Sequence, residues 1–525
     1  MSEFWSKIKT DEGEETIPLF TIHKNSTEYE YGKALAGALR PYVEKRIKAE
    51  VEVYGIHGST PSTCIHKLLI VPKGSSIMVT DNGAGTMPLQ SAFRSSAKLL
   101  PERYLVMVNP EANNNKFYRM MDLGNGKWGA YYGRIGESQG ESVYSGHVTK
   151  PYIYQHYMYE IKYQEKLAKG YKDVTEYHTS TEQSGNINGI TKTFEKIDDK
   201  AVADLVQRLM DYANYTISEN YTVDVADVTP AMITAAKEEL NKLYKLGEGS
   251  DVSAFNDCLL NLMHIIPRRI DGARENGVKR MMSKGQSDFS RIISREEDLL
   301  DVMAGQVKIH TEKENMGEET KSKTILDAMG IEIYTAHPEQ RAQVEQHLSG
   351  SLKPKLKAVY RVINKKSQRR FSEYLQEHGG KRKVKVKQFW HGSRNENWIS
   401  ILQNSLLLKP NAIITGKMFG NGIYFAPSAA KSWGYTSARG TRWARGTSNT
   451  AFMALFATAY GNPYEVFSFS GNWNGYEYNR LVQEHPGCNC VHAKKDLGML
   501  HEDEVIFYRE DEGVKFSVSM GKNLL

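Results

Sequence analysis

Apolar residues recur along this chain with two different periods, and the change of period divides it. The stretch CIHKLLIVPKGSSIMV (Cys64–Val79) holds two apolar runs around Pro72, Lys73, Gly74 and Ser75 and predicts two strands joined by a turn. The TDNGAGT that follows it reads as a loop. RYLVMVNP predicts a strand, and NNNKFYRMMDLGNGKWGAYYGRIGE predicts a strand, a Gly-rich turn and an aromatic strand. A helix is expected near Tyr159–Lys169, closed by Gly170. Residues 175–193 are polar and read as a linker. The period then becomes helical. In DDKAVADLVQRLMDY, Val202, Leu205, Val206, Leu209 and Met210 share one face, with Asp198 or Asp199 as cap. TPAMITAAKEELNKLYKLG starts on Thr229–Pro230 and stops at Gly247. VSAFNDCLLNLMHIIP is a third helix, and REEDLLDVMAGQV and TILDAMG add further segments. From residue 350 onward strands alternate with short helices and glycine loops. KVKVKQFWHGS sets Lys383, Lys385 and Lys387 on one face and Val384 and Val386 on the other, and EVFSFSG and DEVIFYRE predict later strands.

Length sharpens this picture: 525 residues, 40% of them hydrophobic, fill several cores and exceed one. The formal charge of +6 is too dilute to demand a polyanion. Four scattered cysteines suit a reducing compartment. The start MSEFWSKIKTDEGEE has no apolar core of a secretory signal, and no apolar run is long enough to span a bilayer. A soluble intracellular protein is expected, with no membrane partner.

Chemistry concentrates in Phe389–Thr436. A His-Gly-Ser follows a strand, MFGNGIYFA sets glycines before an aromatic strand, and SAAKSWGY puts Ser432 and Tyr435 one helical turn apart. Glycines beside hydroxyls and aromatics suit a flat ligand. Gly392 can offer its N–H and C=O to a planar amide, Ser432 a hydroxyl, and Tyr424 or Tyr435 a stacking face. A glycine-rich turn between packed strands accounts for the same pattern.

The stretch resembles the catalytic domain of poly(ADP-ribose) polymerases, within the diphtheria-toxin-like ADP-ribosyltransferases. FWHGSR matches the first motif of that family's His-Tyr-Glu triad at His391. MFGNGIYFA with AKSWGY matches the second at Tyr424, and EVIFY the third at Glu504, with Glu502 and Asp503 as neighbouring competitors. YYGRIG (Tyr131–Gly136), KFYRM and IKYQEKLAKGY resemble a WGR domain, with Tyr132 where tryptophan is usual. KAVADLVQRLMD, TPAMITAAKEEL and LLNLMHIIPRR resemble the helical regulatory domain of the DNA-dependent members. The resemblance implies a multidomain α+β chain. Residues 1–98, outside the resemblance, read as an N-terminal module of small α/β type, and 99–188 would be a β-rich WGR-like domain. An all-α bundle would follow at 195–350, and an ADP-ribosyltransferase domain on an antiparallel β core at 351–525.

It also implies NAD⁺ as co-substrate, with the nicotinamide–ribose bond cleaved and ADP-ribose passed to protein side chains, the enzyme's own included, and to growing chains. Glu504 would accept from the ribose 2′-OH and polarise the acceptor. His391 would hold a ribose hydroxyl, Gly392 and Ser432 the carboxamide, and Tyr424 and Tyr435 the ring. Ser393 would reach the adenosine ribose, and Lys431 would lie near Glu504. Lys417 and Leu407 replace a tyrosine and an arginine common in the family beside the donor pocket. HPGCNCVH has spacing poorly suited to a structural zinc site, and no metal is expected.

DNA ends or breaks would be read by the WGR-like domain through Lys116, Arg119, Lys127 and Arg134, with Trp128 stacking on an exposed base. Arg369, Arg370, Lys381, Arg382 and Lys383 form a second basic run, either a nuclear signal or the start of a strand. The helical domain would cover the donor site until DNA binds, and an accessory factor can direct acceptor choice. The compartment would be the nucleus in a eukaryote, or the cytoplasm or nucleoid in a bacterial or viral setting. Mono-ADP-ribosyl transfer, a catalytically inactive DNA-binding scaffold and an NAD⁺ glycohydrolase are the alternatives.

Overall fold

The computed structural model describes residues 2–22, 27–57, 63–73, 76–84, 99–109, 114–135, 147–178, 193–269, 281–315, 323–380, 383–408, 418–468, 472–473, 475–495 and 500–522. These form two compact units, Met1–Glu182 with Met263–Val278 and Gln183–Leu262 with Lys279–Leu525. Lys381, Arg382, Lys417, Gly136 and most of the 175–193 linker lie outside the described residues. Helical and β-sheet regions alternate along the chain. No described helix is long and apolar enough to cross a membrane.

The first unit holds two five-stranded antiparallel sheets. One contains β1 (Ser2–Thr10), β2 (Gly13–Ile22), β3 (Ala49–His57), β4 (Thr63–Lys73) and β5 (Ser76–Ala84), in the order β2-β1-β3-β4-β5. Helix α1 (Glu28–Glu44) lies between β2 and β3 in sequence. It starts on a capping box in which Thr27 accepts from the Glu30 N–H and Glu30 caps back. Tyr31, Leu35, Leu39 and Tyr42 fall on its buried face. The second sheet holds β6 (Arg103–Asn109), β7 (Asn114–Gly124), β8 (Lys127–Arg134), β9 (His147–Gln155) and β10 (Lys172–Asp173), ordered β10-β6-β7-β8-β9. Asn125 and Gly126, at φ 54° and 73°, make the β7–β8 turn. Helix α2 (Met158–Ala168) follows β9. Tyr157, Met158 and Ile161 enter the core built by α1 and the first sheet. The approach is so close that a Cβ on Gly32 would lie 2.2 Å from the Tyr157 carbonyl oxygen.

Several expectations change here. Thr80–Ala84 continue β5 instead of opening a loop. Strand β9 and helix α1 had no counterpart in the sequence reading. Trp128 cannot stack on a base. It is fully buried, stacks on Tyr154, meets Tyr159 edge-on and donates its Nε1–H to the Gln155 carbonyl. Trp128 lies on the face of β8 that packs into the core of this unit.

In the second unit, α3 (Lys200–Asn220), α4 (Pro230–Gly247), the part of α5 (Val252–Ile265) up to Leu262 and α6 (Phe289–Glu314) follow one another. Asp199 caps α3 by accepting from the Ala201 and Val202 N–H groups. Two sheets come next. The larger, antiparallel throughout, is ordered β11-β12-β19-β15-β13 from β11 (Ile331–Thr335), β12 (Leu356–Asn364), β13 (Val386–Gly392), β15 (Thr450–Ala459) and β19 (Gly513–Lys522). The smaller is ordered β14-β18-β17-β16 from β14 (Ile423–Phe425), β16 (Pro463–Val466), β17 (Cys490–Ala493) and β18 (Glu504–Phe507). It is mixed, because β16 and β17 run parallel, so the core is not antiparallel throughout. Strand β13 starts only at Val386, which is exposed, whereas Val384 is buried ahead of it. Lys383 and Lys385 therefore precede the strand.

Candidate active site

The two sheets meet where β13 and β14 approach: Trp390 and Ala426 exchange backbone hydrogen bonds of 2.8 and 2.9 Å. That bridge sets His391 beside Tyr424. The His391 Nδ1–H donates to the Tyr424 carbonyl at 3.0 Å, which leaves Nε2 as an acceptor in the neutral ring. Burial, opposed by this bond, lowers the His391 pKa. The ring is therefore a neutral acceptor at pH 7.

Gly392 closes β13, opposite Met453. Its missing side chain is required: a Cβ there would sit 1.9 Å from the Ser432 carbonyl oxygen. Ser432 lies on the short helix α7 (Ala429–Trp433) and is 3% exposed. Tyr435, one turn on, is exposed. The Tyr424 hydroxyl accepts from the Phe419 N–H at 2.9 Å and donates to the Gly420 carbonyl at 3.0 Å, so its ring is fixed. Ser393 accepts from the Asn397 side-chain amide at 3.1 Å.

Glu504 opens β18, whose Ile506 pairs with Tyr424. Lys431 Nζ lies 2.6 Å from Glu504 Oε1 and donates to the Glu502 carbonyl at 2.9 Å. Glu504 Oε2 is buried with no hydrogen-bond partner among the described residues. Burial raises the Glu504 pKa more than Lys431 lowers it, and burial likewise lowers that of Lys431. An unsatisfied buried carboxylate oxygen is costly, and a hydroxyl donor placed against it would relieve the cost.

One cavity of about 340 Å³ is lined by His391, Gly392, Ser393, Tyr424, Lys431, Ser432, Tyr435 and Glu504. All eight residues named from the sequence for the donor site thus face one space. Leu407 also lines it. Sequence reasoning missed Asp298 and Asp301, which line the same cavity from α6, and Asn397 and Ser405. The acidic run in REEDLLDVM was a signal, because Asp298 and Asp301 are spaced to share a helix face.

In the Cys/His segment, His485 stacks on Tyr464, and His492 bonds to Tyr460 and Asp503. Cys490 Sγ donates to the Tyr460 carbonyl. In the first unit, Arg119 is paired with Glu102, and Lys127 is exposed. Lys116 pairs across strands with Arg134. Lys166, absent from the sequence reading, lies over the Tyr118 ring at 4.1 Å.

Residues 337–511 match the model of the poly(ADP-ribose) polymerase catalytic domain. A putative poly [ADP-ribose] polymerase-like protein 100L of Invertebrate iridescent virus 6 is 30% identical over 172 residues, 31% of this chain and 85% of the viral protein. Protein 101L of the same virus, uncharacterised, is 28% identical over 223 residues, 42% of this chain and 82% of that one. Human poly [ADP-ribose] polymerase 2 is 42% identical over 78 residues, 15% of this chain and 12% of the human protein.

Proposed function

Because this chain belongs to the poly(ADP-ribose) polymerase family and is an NAD⁺-dependent ADP-ribosyltransferase, we propose that it builds ADP-ribose chains on proteins in response to DNA ends or breaks. The observation that carries the reading is the Lys431–Glu504 pair, with Glu504 Oε2 unsatisfied beside His391 and Tyr424 in one cavity.

The chemistry follows from the donor groups. The C1′–N bond breaks with its electron pair leaving on nicotinamide, which departs neutral and needs no general acid. Positive charge develops on the ribose, and a nearby carboxylate stabilises it. Glu504 Oε2 accepts from the ribose 2′-OH, and the carboxylate takes the proton that the acceptor hydroxyl loses as it bonds to C1′. Lys431 holds Oε1, so the carboxylate presents one oxygen. His391 accepts a ribose hydroxyl at Nε2. The Gly392 backbone and the Ser432 hydroxyl hold the carboxamide, Tyr424 and Tyr435 flank the ring, and Ser393 reaches the adenosine ribose. Asp298 and Asp301 bring negative charge to the same cavity, and NAD⁺, with its pyrophosphate, must enter against them.

Lys116, Lys127 and Arg134 are the proposed phosphate contacts on the first unit. Phosphate contacts carry no base information, which suits recognition of ends. The decisive assay incubates the full chain with labelled NAD⁺, with and without blunt or nicked duplex, and compares Glu504→Gln. Glutamine keeps the shape but cannot take the proton, so transfer should fall by about 10²–10⁴-fold. Chain extension should disappear in the variant and rise with DNA in the wild type. Single ADP-ribose units with wild-type enzyme would establish mono-transfer, and unchanged polymer in the variant would remove Glu504 from the mechanism.

A further inference from the structure

Beside the cavity, outside its lining, three side chains form a hydrogen-bonded line. The Tyr460 hydroxyl lies 2.6 Å from His492 Nδ1, and His492 Nε2 lies 2.9 Å from Asp503 Oδ2. The other Asp503 oxygen accepts from the Lys495 N–H at 2.8 Å. Donor and acceptor roles close in one way with a neutral ring: Tyr460 donates to Nδ1, and the Nε2–H donates to Asp503. Asp503 directly precedes Glu504. In the β17–β18 register His492 pairs with Val505, and Ala493 with Glu504. From the cavity side, Lys431 holds the Glu502 carbonyl and the Glu504 carboxylate. Glu502–Glu504 are thus pinned from both faces of the strand.

We propose that His492 is a positioning residue for Glu504: as a neutral relay between Tyr460 and Asp503, it fixes the backbone that aims the carboxylate. The inference rests on the role given to Glu504 above. It gives Asp503 a task other than the catalytic one for which the sequence made it a competitor.

The surroundings set the pH behaviour. Lys494 Nζ lies 3.3 Å from His492 Nδ1 and pairs with Glu465 at 2.7 Å. Lys387 sits over the Tyr460 ring, 4.0 Å from its centroid, and the Cys490 thiol bonds to the Tyr460 carbonyl. Burial, with the Lys494 charge, lowers the His492 pKa, while Asp503 and Glu465 oppose the shift. The Tyr460 end of the relay therefore holds at neutral pH and is lost as pH falls through a value below 6.5, while the Nε2–H still donates to Asp503. A proton added at Nδ1 would face the Tyr460 hydroxyl proton and the Lys494 ammonium.

The test uses the full chain. His492→Ala should lower kcat for nicotinamide release by about 10–100-fold, the cost of a carboxylate misplaced by an ångström or less. KM for NAD⁺ should stay within about twofold, because no relay residue lines the cavity. His492→Gln, whose amide can still donate to Asp503, should recover most of kcat. A second readout needs no turnover: carboxyl-carbon NMR of Glu504 should show a changed titration in His492→Ala, and ring-nitrogen shifts should show wild-type His492 as the Nε2–H tautomer at pH 7. An unchanged kcat, a loss matched by the unfolded fraction, an unaltered Glu504 titration or a protonated His492 would each overturn the proposal. If the wild type released no nicotinamide, the transferase reading would fail, and the NMR arm would still decide the relay.

Discussion

Replacing Lys431 with methionine removes the cation from Glu504 and keeps most of the side-chain volume. Lys431 Nζ and Glu504 Oε1 are 2.6 Å apart, with their side chains only 9% and 8% exposed, so solvent screens the pair little. Deleting one partner of a buried pair costs about 3–5 kcal/mol when the other must stay charged. Glu504 can escape that cost by binding a proton, so the penalty becomes a further rise in its proton affinity. At about 1.4 kcal/mol per decade, even 3 kcal/mol is roughly two decades of proton affinity. The acid limb of kcat should therefore move to higher pH, with a loss of roughly ten- to a hundredfold near pH 7 and recovery toward pH 9. Stability should move the other way. A carboxyl whose folded pKa is raised contributes stability that is complete below its ordinary pKa and is lost as pH rises through the raised value. The variant should therefore melt highest in acid, where it is least active. The assay is nicotinamide release from pH 5 to 9, with Tm measured in the same buffers. A pH profile that superimposes on the wild type, or a uniform loss from pH 6 to 9, would refute the reasoning. The uniform loss would mean that Lys431 acts on the substrate and not on the carboxyl proton.

Three other outcomes follow from the geometry. Gly392→Ala places a methyl 1.9 Å from the Ser432 carbonyl oxygen; overpacking of this kind costs about 1–3 kcal/mol, and KM for NAD⁺ should rise with a lowered Tm. An unchanged KM would show that Gly392 and Ser432 do not hold the donor. Glu512, fully buried and bonded to the Tyr374 hydroxyl at 2.8 Å, is pushed up to about 8 by burial. Its share of stability is complete below about 4.5 and lost as pH rises through about 8, so Glu512→Gln should flatten the fall of Tm between pH 6 and 9. Asp298→Asn with Asp301→Asn removes negative charge from the cavity lining and should lower KM for NAD⁺ by about two- to fivefold at low salt, with the difference shrinking in high salt. A raised KM would make these carboxylates ligands of the donor.

What was legible in the sequence was local. His391–Gly392, Tyr424 and Ser432–Tyr435 sit in short segments where strand, glycine and turn are neighbours in sequence, so their grouping could be read from composition and spacing, and their roles were taken from the family resemblance. Glu504 depended on a remote strand and was placed by its EVIFY pattern, which supplies the apolar β18 that pairs with Tyr424. The helices of 195–265 were equally legible, because cap and period are written in the same twenty residues. Helix α1 was legible too but overlooked: Thr27 and Glu30 spell its cap, and Tyr31, Leu35 and Leu39 its face. Trp128 failed for a different reason. Period two tells that alternate residues share a face but not which face is covered, and here the covering came from α2 and β9, remote in sequence.

The same limit explains what the site adds to its motifs. Asp298 and Asp301 reach the cavity from α6, roughly ninety residues before His391, and nothing in either segment names the other. Asp503 and Glu504 are adjacent acids that no composition rule separates. Their partners separate them: Glu504 turns to a buried lysine with one oxygen left unsatisfied among the described residues, and Asp503 turns to a histidine and a backbone N–H, one on each oxygen. A carboxylate with both oxygens engaged can position, and one with an oxygen in reserve can react. Exchanging the two as Glu504→Asp with Asp503→Glu would keep the charge and composition of the strand while breaking both partnerships, so activity should collapse although net charge is unchanged.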